Sequence, residues 1–416
     1  MVMAMANGSG SPMTRRALLG ALALSLTVAA LGPRARAAAA PSPLSPPPPA
    51  VGAPAAVLAE AGDGRVLFER GGGSVRAPAS MAKIMTMVLA VRALESGRVR
   101  VSDLVSASEG AYRTGGSQIW LEPGEVLPFG QLLTAVAVGS ANDAAVAIAE
   151  HMAGSVPAFV AEMNAFAARL GMRHTRFVNP NGLDATGQTT KTTALDMARL
   201  AVYAARMPEL VRLTSTREDR TLRNGHGGHL WLVNTNRLIG VVPGVDGLKT
   251  GFTNAAGYCL AATAERSGLR LVAVVMGAPS SRARFADATS LLNWGFAHYR
   301  AVYAAHRGER LATVAVVRGR ARAIDLIAAR DAVFTLPRDA ATPSLGRRLS
   351  LAAPLVAPVR AGQVAGAARF TLPGVGTRTV PLVTATGTSR VGLFDVLRRL
   401  AGLASAPHGA RPSPVA

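Results

Sequence analysis

Lysine is almost absent from this sequence. Of 45 basic residues only Lys83, Lys191 and Lys249 are lysine, and the rest are arginine. Arginine stays protonated inside a protein, whereas a desolvated lysine can lose its proton. The positions that keep lysine are therefore candidates for chemistry that arginine cannot do, although Lys191 sits in a polar loop where chance suffices. Cysteine is scarcer still. Cys259 stands alone, which excludes an intrachain disulfide; its apolar, strand-like surroundings suit a small buried side chain. Acids are few, 24 in all, and leave a formal net charge of +21. No nucleic-acid recognition motif accompanies that charge, so nucleic acid is not an expected partner. The sequence suggests no metal and no cofactor.

No apolar run reaches the ~20 residues that span a bilayer comfortably. The nearest is Ala17 to Leu31, preceded by Arg15 and Arg16 and followed by Ala35-Arg36-Ala37. That is the n-region, h-region and cleavage pattern of an export signal, expected over 1–37. Thr14-Arg15-Arg16 leaves twin-arginine and general secretion both open, and an uncleaved anchor is the other reading. Export predicts an extracytoplasmic protein, placed on the outer face of the cytoplasmic membrane. Residues 301–416 hold sixteen arginines and five acids, +11 of the total excess. An anionic membrane surface or wall polymer is the natural counterpart of such a charge.

With 49% hydrophobic residues the chain can build a large core. A stiff Pro-rich linker is expected over 38–52. Ala55–Ala59 and Arg65–Phe68 read as a hairpin around Gly62-Asp63-Gly64. Helical runs follow over 129–138, 143–153, 156–170 and 194–205. Strand-like runs lie at 248–251, 257–264 and 269–276, and a helix over 291–299 closes the unit. The pattern predicts an α+β fold over 53–300, an antiparallel sheet flanked by helices, with strands from both chain ends. Short alternating runs at 311–317, 332–336, 369–372 and 379–383 predict a smaller, mostly β domain over 301–388. Leu393, Val396, Leu397, Leu400 and Ala404 share one helical face, with Arg398 and Arg399 off it. This predicts a membrane-associating amphipathic helix over 389–405, or one docked on its own domain, before a disordered tail over 406–416.

Within PASMAKIM (78–85), Ser80 and Lys83 share one helical face. Pro78 is suited to begin the helix, and the free amides of its first turn could stabilise an oxyanion. Burial would favour the neutral lysine, which can take a serine proton. Alone, the pair also fits a lysine that snorkels to water beside an incidental serine. Ser140-Ala141-Asn142 lies at a helix boundary, and alone fits an N-cap turn. Lys249-Thr250-Gly251 lies in a strand, and alone fits a protected sheet edge. The three together, in this order and setting, form the S-x-x-K, S-x-N and K-T-G signature of penicillin-interacting serine enzymes.

On those triplets the sequence resembles the serine D-alanyl-D-alanine carboxypeptidases, the low-molecular-mass penicillin-binding proteins, whose fold is the β-lactamase/transpeptidase one. PASMAKIMT, GGSQIWLEPGE, SANDAAVAIAEHMAG, FVNPNGLD, NTNRLIG and GVDGLKTGFTNAAGYCLAATAER extend the likeness in order, and RDAVFTLP and PLVAPVRAGQVAG carry it into the β domain. The resemblance implies that Ser80 attacks the carbonyl between two D-alanines of a peptidoglycan stem peptide. It implies Lys83 as general base, Ser140 as proton relay and Asn142 as substrate-orienting residue. Lys249 and Thr250 would hold the terminal carboxylate, with Gly251 small enough to admit it. The backbone N–H groups of Ser80 and Phe252 would form the oxyanion hole, and β-lactams would acylate Ser80 as covalent inhibitors. In this reading Lys83 works by losing its charge and Lys249 by keeping it.

Two departures qualify the likeness. The middle triplet is S-A-N rather than S-D-N, and Phe252 stands where relatives often carry a polar residue. Arg237 could add positive charge near the carboxylate. A β-lactamase is an alternative, but no acid between Asn142 and Lys249 lies in an E-x-x-L-N sequence. A D,D-endopeptidase uses the same triplets, and a non-catalytic penicillin-sensing or wall-binding protein is the non-enzyme alternative.

Overall fold

The computed structural model describes residues 47–184, 187–222 and 228–392. The expected signal segment, most of the helix expected over 389–405 and the tail lie outside these residues.

Strands β1 (Ala55–Glu60) and β2 (Val66–Arg70) form the first hairpin. β3 (Val245–Thr253), β4 (Gly257–Arg266) and β5 (Leu269–Ala278) return from the far end of the domain. They join in one antiparallel sheet, order β2-β1-β5-β4-β3. Every residue of β1 is buried, and strand periodicity explains why. Ala55, Val57 and Ala59 face one helical layer, while Ala56 and Leu58 face the other. β5 divides the same way, Val272, Val274 and Met276 against Leu271, Ala273 and Val275.

The first layer surrounds α1 (Lys83–Glu95), whose residues from Lys83 to Val91 are all buried. A helix that is apolar all round belongs at the centre of a core. Around it lie α2 (Phe129–Thr134), α3 (Asn142–Ala153), α4 (Val156–Arg169), α5 (Ala194–Ala204) and α6 (Pro208–Ser215). Ser155 and Thr193 cap α4 and α5 through their side chains, accepting from Ala158 N and Asp196 N.

The other face is covered by α7 (Ser281–His298), through Ala288, Leu291, Leu292 and Phe296. Its first ten residues escape the sequence reading, which begins the helix at Leu291. The signal they carry is a cap, since Ser280 Oγ accepts from Ala283 N at 3.1 Å. The Pro-rich segment also ends earlier than expected. Val51 is buried, Asp287 on α7 accepts from Gly52 N (3.0 Å) and Ala53 N (2.8 Å), and Trp294 Nε1 donates to Pro47 O at 2.7 Å.

The second domain is all β. Its strands are β6 (Tyr299–Ala305), β7 (Arg310–Val317), β8 (Ala323–Ala328), β9 (Ala332–Pro337), β10 (Gly346–Leu351), β11 (Leu355–Val356), β12 (Val364–Leu372) and β13 (Gly376–Thr384). Six pair in the order β10-β12-β13-β8-β7-β11, and β6 pairs with β9. Ion pairing helps fix the domains together: Arg378 on β13 reaches Asp63 in the first hairpin at 2.7 Å.

One boundary needs correction. Residues 389–391, expected to begin a helix, are extended and tied to the β domain. Ser389 O accepts from Arg320 N (3.0 Å), and Val391 N donates to Arg318 O (2.9 Å).

Asp287 should matter more than a polar residue on a helix usually does. Asp287→Ala strands two backbone donors, one fully buried, and should cost about 2–4 kcal/mol at ~1–3 kcal/mol per unsatisfied group. Urea unfolding measures this; a loss under 0.5 kcal/mol, on the order of a neutral surface change, would mean the segment is not held by this carboxylate.

Candidate functional site

Ser80 does not lie on the α-helix proper. Ala79–Ala82 form a 3-10 turn, and α1 begins at Lys83. Residues i and i+3 eclipse in such a turn, so Ser80 and Lys83 meet: Lys83 Nζ lies 2.9 Å from Ser80 Oγ. Ala79 enters the turn at φ +49, a strained value for a residue with a Cβ. Close packing holds it there. Gly182 sits against Ala79 O so tightly that a Cβ would come within 2.0 Å of that oxygen.

Lys83 is fully buried. Its amine donates to Asn142 Oδ1 (2.5 Å) and to Asn181 O (2.8 Å). Both partners can only accept. A neutral amine has two N–H donors and one lone pair, so these carbonyls use both donors and leave the lone pair facing Ser80 Oγ. Burial pushes the Lys83 pKa well below the usual lysine range, and the nearby Lys249 charge pushes it further; Asp143 opposes them.

Asn142 is itself fixed. Its Nδ2 donates to Gly115 O (2.6 Å) and its backbone N–H to Ser117 O (2.7 Å). Next to it, the buried Asp143 carboxylate accepts from Ile119 N (3.0 Å) and Leu121 N (3.2 Å). Gly116 clears the space, since a Cβ there would come within 2.6 Å of Asn142 Nδ2. The GGSQIWLEPGE segment is thus moored to the start of α3. Asn142, expected to orient substrate, is seen to orient the lysine. Ser140 is buried at φ +63, but among the described residues no hydrogen bond joins its hydroxyl to Ser80 or Lys83. The expected relay through Ser140 is not formed here.

The third element is β3, the sheet edge beside the Ser80 turn. Gly251 permits the approach: a Cβ would meet Pro78 O at 2.6 Å and Met81 N at 3.2 Å. Its smallness therefore serves the contact between strand and nucleophile turn, a closer reason than the expected one of admitting a carboxylate. Thr250 Oγ1 donates to Thr235 Oγ1 (2.7 Å), and Lys249 Nζ lies 3.5 Å from the same oxygen. Lys249 is fully buried, not the exposed guard of a strand edge. Burial, then the Arg284 charge, lowers its pKa to about 7. Arg284 comes from α7 and donates to Gly251 O at 3.0 Å. Arg237 is exposed, and its charge reaches Arg284. Phe252 is half exposed, its ring centroid 4.3 Å from that of Tyr258.

Sequence reasoning missed Asn181, Thr235 and Arg284. Asn181 acts through its backbone carbonyl, and only its place in the FVNPNGLD segment pointed to it. Thr235 lies inside NTNRLIG, next to the Arg237 that drew attention instead. Among the described residues no cluster of ligating side chains could hold a metal.

Comparison with known proteins agrees with this geometry. Residues 42–280 match the family described as D-alanyl-D-alanine carboxypeptidase, and 299–388 match the C-terminal domain of penicillin-binding protein 5. The D-alanyl-D-alanine carboxypeptidase DacF of Bacillus subtilis is 37% identical over 84% of this chain and 89% of its own. Penicillin-binding protein 5 of Haemophilus influenzae superposes with a TM-score of 0.63 at 31% identity, over 83% of this chain and all of that one. Penicillin-binding protein D2 of Listeria monocytogenes in its ampicillin-bound form gives 0.54 at 31% identity, over 60% of this chain and all of that one.

The two buried lysines make a linkage prediction. Lys249 releases its proton near pH 7 when folded but near ~10.4 when unfolded. In that window the unfolded chain binds the extra proton, so stability should rise with pH by about 1.4 kcal/mol per unit from this group. Lys249→Met should remove that share of the slope in denaturant unfolding at pH 7, 8 and 9; parallel wild-type and variant curves would contradict a depressed Lys249.

Proposed function

The chain belongs to the D-alanyl-D-alanine carboxypeptidase family, and on that premise we propose that it removes the terminal D-alanine from peptidoglycan stem pentapeptides through an acyl-enzyme on Ser80. The observation that carries this reading is the coordination of Lys83. Two carbonyl acceptors use up the amine's donors, and the remaining position faces the serine oxygen at 2.9 Å.

In the proposed reaction the neutral Lys83 amine takes the Ser80 proton as Oγ attacks the penultimate D-alanine carbonyl. The tetrahedral oxyanion is received by the backbone N–H groups of Ser80 and Phe252. Protonated Lys83 then supplies a proton for departure of the terminal D-alanine amine, through the hydroxyl of Ser140 once substrate completes the site. The acyl-enzyme is released when Lys83, neutral again, deprotonates an attacking water. Lys249, Thr250 and Thr235 form the polar rank that receives the terminal carboxylate, with Arg284 and Arg237 adding positive charge behind it. A β-lactam presents a strained amide and a carboxylate to the same groups, so it acylates Ser80 and blocks the site.

Carboxypeptidase action is favoured over a β-lactamase by the acids. The buried Asp143 is spent on backbone amides, and among the described residues no carboxylate is hydrogen-bonded to Ser80 or Lys83. The endopeptidase alternative is separated by substrate: pentapeptide yields free D-alanine, whereas a cross-linked dimer cleaved to monomers would favour that alternative. Purified protein should release D-alanine from the pentapeptide and carry penicillin on the peptide containing Ser80, as read by mass spectrometry. Label elsewhere sinks the assignment. Lys83→Arg keeps the charge but cannot lose it, and acylation should fall at least ~100-fold, the usual span of general-base loss.

The export pattern and the arginine excess support an extracytoplasmic enzyme on the outer face of the cytoplasmic membrane, held by the basic amphipathic segment. Since 389–391 are bound to the β domain, the deletion that tests this leaves them in place. Deleting residues 393–416 should move the protein from the membrane to the soluble fraction with D-alanine release unchanged. Membrane retention by the truncated enzyme would place the anchor elsewhere.

A further inference from the structure

A cavity of about 500 Å3 lies away from the serine, where α7 meets the first strand of the β domain. Its size is that of a small-ligand site, and such sites favour domain junctions. Three arginines line it: Arg266 from the end of β4, Arg300 from β6 and Arg338 from just past β9. The other polar side chains in its wall include Ser267 and Asn293, and no aspartate or glutamate lines it. Phe296 and Tyr299 supply apolar surface.

The protein uses only part of each guanidinium's five N–H donors. Arg266 donates to Pro243 O (2.9 Å) and Asn293 Oδ1 (3.2 Å) and lies over the Phe296 ring at 4.4 Å. Arg300 donates to Ala340 O and Thr342 Oγ1, both at 3.0 Å, and Arg338 Nε to Phe296 O at 3.0 Å. None of the three pairs with a carboxylate among the described residues. Some arginines elsewhere in the chain are neutralised: Arg270 has Asp246 and Glu265, and Arg378 has Asp63. Three converging cations with spare donors and no carboxylate partner among the described residues suit an anion.

We propose that this junction pocket binds a phosphate ester. Three guanidinium forks match a group with several acceptor oxygens and up to two charges better than a carboxylate, which offers two oxygens and one charge. Phe296 and Tyr299 accept the carbon skeleton that the phosphate carries. Because Arg266 and Asn293 come from the catalytic domain and Arg300 and Arg338 from the β domain, the bound ester ties the two together. A soluble phosphate ester and the headgroup of an anionic phospholipid both present this chemistry.

Titration calorimetry of the purified full chain with sn-glycerol 3-phosphate and with inorganic phosphate tests the site. Titration with a short-chain phosphatidylglycerol below its micellar concentration, against the matching phosphatidylcholine, tests the lipid source apart from any membrane binding by the C-terminal segment. Asn293→Asp keeps the acceptor for Arg266 while placing a carboxylate in the pocket; Arg338→Gln removes one fork. The wild type should bind glycerol phosphate or phosphatidylglycerol saturably, and both variants should weaken that binding at least tenfold with unchanged thermal midpoints. Loss confined to the phosphatidylglycerol probe identifies a lipid headgroup, and loss confined to glycerol phosphate identifies a free ester. If the wild type binds none of these probes, or if the well-folded Asn293→Asp binds as the wild type does, the pocket is not a phosphate site.

Discussion

The site depends on keeping one amine dry. Lys83 is enclosed by its own helix, the Asn142 side chain and the Asn179–Gly182 turn, and each wall of that enclosure has its own anchor. Thr86 Oγ1 donates to Pro180 O at 2.6 Å, and Asn179 Oδ1 accepts from Gly182 N at 2.7 Å. Asn142 is held from the opposite side by Gly115 and Ser117. A buried ammonium would be costly here, and the neutral amine, with both its N–H donors on carbonyls, can turn its lone pair to Ser80 Oγ. Desolvation, with the Lys249 charge, therefore favours the form that can accept the serine proton.

Three close approaches bring the remaining groups to that amine. Gly182 lies against the Ala79 carbonyl, Gly116 against the Asn142 amide, and Gly251 against the Pro78 carbonyl. At each of them an added Cβ would sit inside contact distance. The nucleophile turn is thus clamped between a loop and a sheet edge, with little slack for Ser80 to move. Strain at Ala79 and Ser140, both at positive φ, is what such over-determined packing can sustain, and it collects where preorganisation is useful.

The sequence made Ser80, Lys83 and Lys249 legible because each is a distinct residue type in a recognisable triplet. What it concealed acts by other means. Asn181 contributes a main-chain oxygen, which any residue could supply, so no side-chain pattern announces it. Arg284 is one arginine among forty-two and touches the site only through the Gly251 carbonyl. The two-layered sheet was readable from its unbroken apolar strands. The β domain was readable only in part, since β10, Gly-Arg-Arg-Leu-Ser-Leu, lies almost wholly exposed at a sheet edge and carries no alternating apolar signal. The first half of α7 was hidden likewise, by arginines and small polar residues that present no apolar stripe.

The two motif lysines are less separate than their motifs suggest. Lys249 was expected to keep its charge for an anionic substrate, yet burial and Arg284 lower its pKa to about 7, so near neutrality it holds its proton far less firmly than an ordinary lysine does. A carboxylate arriving beside Thr250 reverses the balance, because an opposite charge at contact favours the ammonium. In the proposed reaction, substrate binding and proton uptake by Lys249 are then coupled. The same charge also repels a proton from Lys83. In the proposed reaction the correct ligand, by charging Lys249, deepens the neutrality of the base that takes the Ser80 proton, and the carboxylate that identifies the substrate also helps prepare the nucleophile.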